Sequence, residues 1–401
     1  KANVLRALNR YDEALECCER AEKICINQSA EKKQNELAEI IINRAKIYQD
    51  LENHELALQI LDQYPYDNIR ILTLKANILR DTKQFEQATR IYQECLGLDS
   101  EDPNANWHKS LMDLSLGNFE LGWKGYEYRY NVDGFHTTSG GSKSISENRI
   151  KKFPTIDDII NKHVFLILEQ GIGDQIMFLS TLPDLQIVAK KITCQIDDRL
   201  LRIFSNSFQD INFVSKQERI SDDILADALI MRMGSLPFIF RKSIDDFNGL
   251  PYLKPSAESV FKFKSHIENL QSYDEPKIAI SWKGGTSLSR SKDRSIALET
   301  LLEIFENKGD VNLYCIQHGN IEEELRGIKE KYDLKIHVFP SDLLKDIDNL
   351  CGLIDNMDYL VSVQNTNVHL SGAMGKKCFA LINANPEWRY GYVGNQLPWY
   401  S

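Results

Sequence analysis

The strongest constraint on this chain is a repeat that fills its first third and then stops. A small residue follows an aromatic or polar one by three positions at Tyr11/Ala14, His54/Ala57, Phe85/Ala88 and Phe119/Gly122. The steps between these anchors are 43, 31 and 34 residues. A period of ~34 belongs to stacked helix-turn-helix units, and the long first step leaves room for an insertion around Ser29–Gln34. Leu79–Tyr92 and Leu116–Tyr126 each read as helix, turn and helix, and Asp102-Pro103 marks the turn to the next unit. Stacked pairs of this kind bury one face and leave a concave groove that suits an extended peptide or another protein. The alternative is an array that only supports its neighbour.

The rhythm changes after the repeat. Thr137–Ser144 is rich in Gly and Ser, as in an exposed connection. From Val164 short apolar runs alternate with helical patterns, giving strands over 164–168, 192–196 and 211–214 with helices over 175–189 and 200–204. The alternation restarts after Pro251–Pro255, with strands over 278–282, 313–316, 336–339, 359–363 and 378–382 and helices over 298–305, 347–355 and 369–374. Such alternation predicts parallel βαβ units, whose ligands sit outside the carboxyl ends of the strands. The expected organisation is a helical array over 1–130, a linker over 131–162, and two Rossmann-like halves over 163–255 and 256–401 facing a cleft.

A length of 401 residues exceeds what one core supports, in agreement with several domains. The net charge of −10 repels nucleic acid and anionic membrane surfaces. No apolar run approaches the ~18 residues of a membrane span. Eight cysteines without a Cys-x-x-Cys pair suggest reduced thiols and a cytoplasmic setting. Because the chain starts at Lys1 in mid-repeat, it is expected to be part of a longer protein, and a removed leader stays open.

Three segments carry chemistry. Glu169-Gln-Gly171-Ile-Gly173-Asp174 follows the first strand and opens a helix, where glycines allow a tight turn and close approach of a ligand. It lacks the third glycine of a dinucleotide fingerprint and the Gly-Lys-Ser/Thr of a Walker loop, and Asp174 serves equally as a helix cap. Ser281–Gly285 runs on to Arg290, Lys292 and Arg294, so that four cations and one acid, Asp293, lie between residues 282 and 294. That excess suits a diphosphate, or an ordinary solvated loop. In Ser362-Val-Gln364-Asn365-Thr366-Asn367-Val-His369, a strand runs into a helix whose start offers donors to a phosphate. His369 is either one of those donors or a satisfied core histidine. Asp346-Ile-Asp348 falls in a helix, where positions two apart do not share a face, which argues against a metal pair. The sequon at Asn27 reads as chance.

Glu169–Asp174, Met233–Pro237, Ser281–Gly284, Arg294–Ile296, Ser362–Gly375, Pro386–Arg389 and Pro398–Tyr400 occur in the order of one family, and Gly122–Arg129 closes the repeats in the same style. The repeats resemble tetratricopeptide repeats. The whole chain resembles bacterial tetratricopeptide proteins whose C-terminal region is similar to heptosyltransferase-like glycosyltransferases of the glycosyltransferase-B fold.

The resemblance implies metal-independent, inverting transfer of a sugar from a nucleotide-sugar donor to a hydroxyl of an acceptor, expected to be a protein recruited by the repeats, with no separate cofactor. Asp174 carries over as general base. The donor side carries over to Gly171, Gly173, Lys283, Arg290, Arg294, Gln317, Gln364, Asn365, Thr366 and His369. Where the family usually reads Ser-Val-Asp-Thr, this chain has Ser362-Val-Gln364-Asn365, which loses a carboxylate. The rival reading is a degenerate transferase fold used as a scaffold or binding protein. A nucleotide-sugar hydrolase or epimerase is a third.

Overall fold

The four anchors each open the second helix of a pair. The pairs are α1 (Ala2–Ala7) with α2 (Tyr11–Cys25), α3 (Ala30–Asp50) with α4 (His54–Asp62), α5 (Ile69–Asp81) with α6 (Phe85–Leu98), and α7 (Pro103–Ser115) with α8 (Phe119–Tyr126). The computed structural model describes residues 1–25, 30–64, 67–132, 135, 145–268, 275–285, 294–306, 311–319, 321–331 and 335–400. The sequon at Asn27, the stretch 137–144, and Arg290, Lys292 and Asp293 of the basic loop lie outside them.

Ala14, Ala57 and Ala88 have no exposed surface, because a larger side chain at these crossings would hold the helices apart. The turns repeat as well. Asn9, Glu52, Lys83 and Gly117 each stand two residues before an anchor, with φ of 58°, 58°, 61° and 82°. Only the last is a glycine, so three of the four tight turns hold a side chain in the left-handed region. The extra length of the first step is taken up by α3, at 21 residues.

Two compact units result, Lys1–Leu114 with Lys124–Val132, and Ser115–Trp123 with Asp133–Ser401. The boundary expected at residue 130 therefore differs for Ser115–Trp123. The physical reason is aromatic: Trp123 stands edge-on to Trp388 and Trp399, with centroids 5.6 and 5.9 Å away, and Phe119 lies 4.7 Å from Phe247. In the helical unit, Arg129 is fully buried, bonded to Glu127 at 2.6 Å and stacked over Tyr126 and Tyr130.

The second unit holds two wholly parallel sheets. The first has strands β1 (His163–Ile167), β2 (Lys191–Ile196), β3 (Asn212–Ser215) and β4 (Ala228–Arg232), in the order β3-β2-β1-β4. The second has β5 (Lys277–Ser281), β6 (Asn312–Cys315), β7 (Lys335–Val338), β8 (Tyr359–Val363) and β9 (Cys378–Leu381), in the order β7-β6-β5-β8-β9. Their central strands are buried on both faces, as the continuous run Val164–Leu168 shows.

Sequence periodicity missed β4, whose Ala-Leu-Ile-Met-Arg carries only one β-branched residue. It also missed the helices Ala257–Glu268 and Glu322–Lys331. The helix expected over 175–189 is two, Ile172–Leu179 and Leu182–Val188. The break falls at Ser180 and Thr181, whose hydroxyls donate to the carbonyls of Met177 and Phe178 at 2.7 Å. Part of the expected linker is structured: Ile150 bridges Ile230 of β4, and the Lys151 N–H donates to the Ile230 carbonyl at 2.8 Å.

Candidate functional site

In the first sheet the strand order reverses between β1 and β4, and in the second between β5 and β8. Such reversals open a crevice outside the carboxyl ends of the strands, since the connecting chains leave in opposite directions. Three of the segments picked out by sequence flank these points: 169–174 after β1, 281–285 after β5, and 364–366 after β8.

At the first point the turn is tight. Gln170 adopts φ 60°, and Gly171 caps the helix Ile172–Leu179. The Gly171 N–H donates to Asp174 Oδ2 at 3.1 Å, so Asp174 does cap its helix. Its other oxygen faces Arg389 Nη2 at 2.5 Å, with both side chains mostly buried. Met233–Ser235, a short 3-10 turn after β4, closes the other side. A Cβ on Gly234 would stand 1.8 Å from Oε1 of the buried Glu169, so only glycine fits there.

At the second point, polar side chains are used to shape the backbone. Gln317, just past β6, accepts through Oε1 from the Ser281 hydroxyl at 3.0 Å and from the N–H groups of Trp282 and Lys283 at 2.9 and 2.8 Å. Asn365 caps the helix Thr366–Ala373 by accepting from the Asn367 N–H at 2.9 Å. Its amide donates to the Ser281 hydroxyl at 2.8 Å and the Lys283 carbonyl at 3.2 Å. Lys283 is ion-paired with Glu324, which also accepts from the Trp282 indole at 2.8 Å. Burial works to raise the Glu324 carboxyl, and these two donors outweigh it, leaving it below its ordinary value.

Arg294 reaches across from the basic loop to the Gln364 carbonyl, with bonds of 3.2 and 2.8 Å. The crossing is close, since a Cβ on Gly284 would meet the Gln364 and Arg294 carbonyl oxygens at 2.6 and 2.8 Å. The Gln364 amide donates to Asn383 at 2.9 Å, and its own oxygen is buried with no hydrogen-bond partner among the described residues. Thr366 stands half-buried in the first turn of the helix.

His369 connects the two points. A Cβ on Gly173 would approach its ring to 2.9 Å, so Gly173 serves close packing of the two helices. Its Nδ1 pairs with the Tyr400 hydroxyl at 2.9 Å and its Nε2 with the Tyr390 hydroxyl at 3.2 Å. Both nitrogens are thus engaged, which matches the core-histidine alternative. Burial, followed by the charges of Arg389 and Arg294, pushes the imidazole down to about 3. Both guanidinium groups therefore act on one neutral ring.

Among the site residues named from sequence, the structure gathers Gly171, Gly173, Asp174, Arg294 and His369 here. Lys283, Gln317, Asn365, Thr366 and Gln364 border the β5–β8 reversal, and Arg290 lies outside the described residues. Sequence reasoning assigned no role to Arg389, Tyr390, Tyr400 or Glu324. The usable signal was an arginine between Trp388 and Tyr390 close to the end of the chain. Among the described residues no cluster of His, Cys, Asp or Glu is built to hold a metal ion, and no helix is long and apolar enough to cross a membrane. Asp346 is instead a helix cap, and Asp348 accepts from Ser256 and Ser259.

Two tetratricopeptide-repeat family models match this chain, one over residues 1–64 and one over 69–102. The matches cover the first six helices of the array, which are tetratricopeptide repeats. Among curated proteins the chain is similar to Protein FlbA of Caulobacter vibrioides, at 25% identity over 309 residues, covering 72% of this chain and 49% of that protein. It spans about half the length of that relative. Among solved structures it is similar to a glycosyl transferase family 9 protein from Veillonella parvula, at 14% identity and a TM-score of 0.42, covering 56% of this chain and 81% of that one. It is also similar to the ADP-heptose LPS heptosyltransferase II of E. coli, at 12% identity and a TM-score of 0.38, covering 55% and 84%. The chain thus combines tetratricopeptide repeats within its first 102 residues with an α/β unit of two wholly parallel sheets.

Proposed function

We propose that this chain moves a sugar from a nucleotide-sugar donor to a hydroxyl of an acceptor, by a single inverting displacement that needs no metal. The observation that carries the reading is one carboxylate, Asp174, paired with the Arg389 guanidinium beside the first strand reversal, next to a buried histidine, His369, on which the charges of both Arg389 and Arg294 act. A diphosphate leaving group requires cations placed in advance, and an attacking hydroxyl requires an acceptor for its proton.

In this reading the acceptor hydroxyl gives its proton to Asp174, and its oxygen bonds to the anomeric carbon. The bond from that carbon to the diphosphate breaks, and the electron pair leaves on a diphosphate oxygen. Arg294, Lys283 and the N-terminal turn of Thr366–Ala373 face the charge so formed. The tetratricopeptide groove presents the acceptor, most simply a protein segment. The test is product formation from a panel of nucleotide sugars, with and without candidate acceptor protein. Transfer that depends on acceptor and disappears in Asp174→Asn supports the reading. Donor consumption without acceptor marks a hydrolase instead.

A second reading, a scaffold that keeps the fold without turnover, is favoured by Gln364 in place of a carboxylate and by the internal bonds that occupy Gln317 and Asn365. Failure of any nucleoside diphosphate to bind the folded chain would select it.

A further inference from the structure

The expected general base is not free. Asp174 has one oxygen held by the Gly171 N–H and the other against Arg389. In the unliganded chain one oxygen is thus held by a hydrogen bond and the other by a charge, so neither is open to an acceptor hydroxyl. The arginine is also well anchored from behind. Its guanidinium lies 5.1 Å from the Trp388 ring centre, and Trp388 stacks on Phe178 of the helix that carries Asp174, at 6.4 Å and 24°. Glu387 stands 3.5 Å from Nη1, a second and looser partner.

The contact with Asp174 is close but off-axis, since Asp174 Oδ1 accepts no aligned hydrogen bond among the described residues. A charge pair without a directional bond exchanges readily for a better acceptor. Arg294, the other guanidinium acting on His369, bonds only a main-chain carbonyl and has no carboxylate within ion-pair distance among the described residues. A diphosphate that reached both arginines would therefore meet one cation with no carboxylate partner among the described residues and one paired with a carboxylate through a contact that is not an aligned hydrogen bond.

We infer that Arg389 is an exchange residue: in the free chain it neutralises Asp174, and on donor binding it transfers to the diphosphate, leaving Asp174 to accept the proton of the acceptor hydroxyl. This rests on the transferase reading and adds to it an order of events. The base becomes competent only when a donor is present, so the chain does not spend Asp174 on water or on acceptor alone. The balance of the transfer step is unchanged, because Arg389 only moves a hydrogen-bonding partner and carries no proton away.

A double-mutant cycle on nucleoside diphosphate binding tests it without any acceptor or sugar. Calorimetric titration of UDP, GDP, ADP, CDP and dTDP is carried out on the chain and on Asp174→Asn, Arg389→Met and the double variant. If the carboxylate competes with diphosphate for Arg389, Asp174→Asn tightens binding by about tenfold, while Arg389→Met weakens it by at least as much. In the Arg389→Met background, Asp174→Asn then changes nothing. Additive effects, or unchanged affinity in Asp174→Asn, overturn the exchange while leaving the donor site standing. No binding of any of the five to the folded parent chain overturns the transferase reading and the exchange with it. Should Arg389→Met fail to fold, Arg389→Lys replaces it in the cycle, and unchanged affinity in Asp174→Asn by itself still overturns the exchange.

Discussion

Two helices in the α/β unit begin in the same way and are used differently. Ile172–Leu179 starts at Gly171 with a carboxylate, Asp174, bonding back to the cap, and Thr366–Ala373 starts at Asn365 with a neutral amide. Both satisfy orphan N–H groups of a first turn. The amide of Asn365 spends its remaining donors on the Ser281 hydroxyl and the Lys283 carbonyl, which fixes the shape of the loop after β5. Asp174 spends its remaining oxygen on a charge, the Arg389 guanidinium. The same local device thus ties main chain to main chain at one strand reversal and holds an ion pair at the other.

The largest expected effect separates these uses. Asp174→Asn preserves the bond from the Gly171 N–H and should fold normally, yet lower turnover by about 10²–10⁴-fold, the usual worth of a positioned proton acceptor. Equal turnover in the variant would place both helix starts in the structural class. Gly284→Ala tests the loop after β5, because its Cβ has backbone oxygens within 2.8 Å; we expect about 1–3 kcal/mol of destabilisation, read as a fall in Tm. A variant as stable as the parent would show that the loop yields.

Acid stability compares the two compact units. His369 in the α/β unit and His108 in the helical unit are both buried and pushed down to about 3, burial being the main cause. Below the ordinary pKa of about 6.5 the unfolded chain takes up a proton that the folded chain refuses. Stability is therefore complete above that pH and falls toward pH 3, by up to about 1.4 kcal/mol per pH unit for each histidine. Melting curves from pH 7 to 4 check this, and His369→Asn should flatten the dependence of the α/β transition alone.

Removal of the Asn365 cap by Asn365→Ala should cost about 1 kcal/mol in stability, with nucleotide affinity falling as the Lys283 loop loosens. A loss of stability with unchanged affinity would uncouple the loop from the ligand. The smallest effect lies in the repeats, where Lys83→Gly relieves a left-handed side chain and should stabilise by about 0.5 kcal/mol, detectable as a small rise in Tm.

The repeats were the most legible part of the sequence, since each anchor fell on the first residue of a helix and each small residue on a buried crossing. Central strands β1, β5 and β8 were legible as continuous apolar runs, and their carboxyl ends located the loops of the site. Strand β4 was not, because Leu and Met suit a buried helix as well as a strand, and its partner β1 lies some sixty residues earlier in the chain. The polar residues lie in loops that the sequence singled out, and their contacts with one another come only from the structure. The resemblance puts Gln317 and Asn365 on the donor side, and only their neighbours across the loop reveal that they also tie backbone to backbone.

Sequence by itself determined the helical period, the parallel alternation and the position of Asp174 in the first turn of a helix, because each depends on residues within a few positions of one another. Tertiary structure decided what Asp174 faces. Arg389 lies over two hundred residues away along the chain, brought to the carboxylate by Trp388 packing on Phe178, and no local pattern encodes the meeting of two side chains that only a closed chain can bring together.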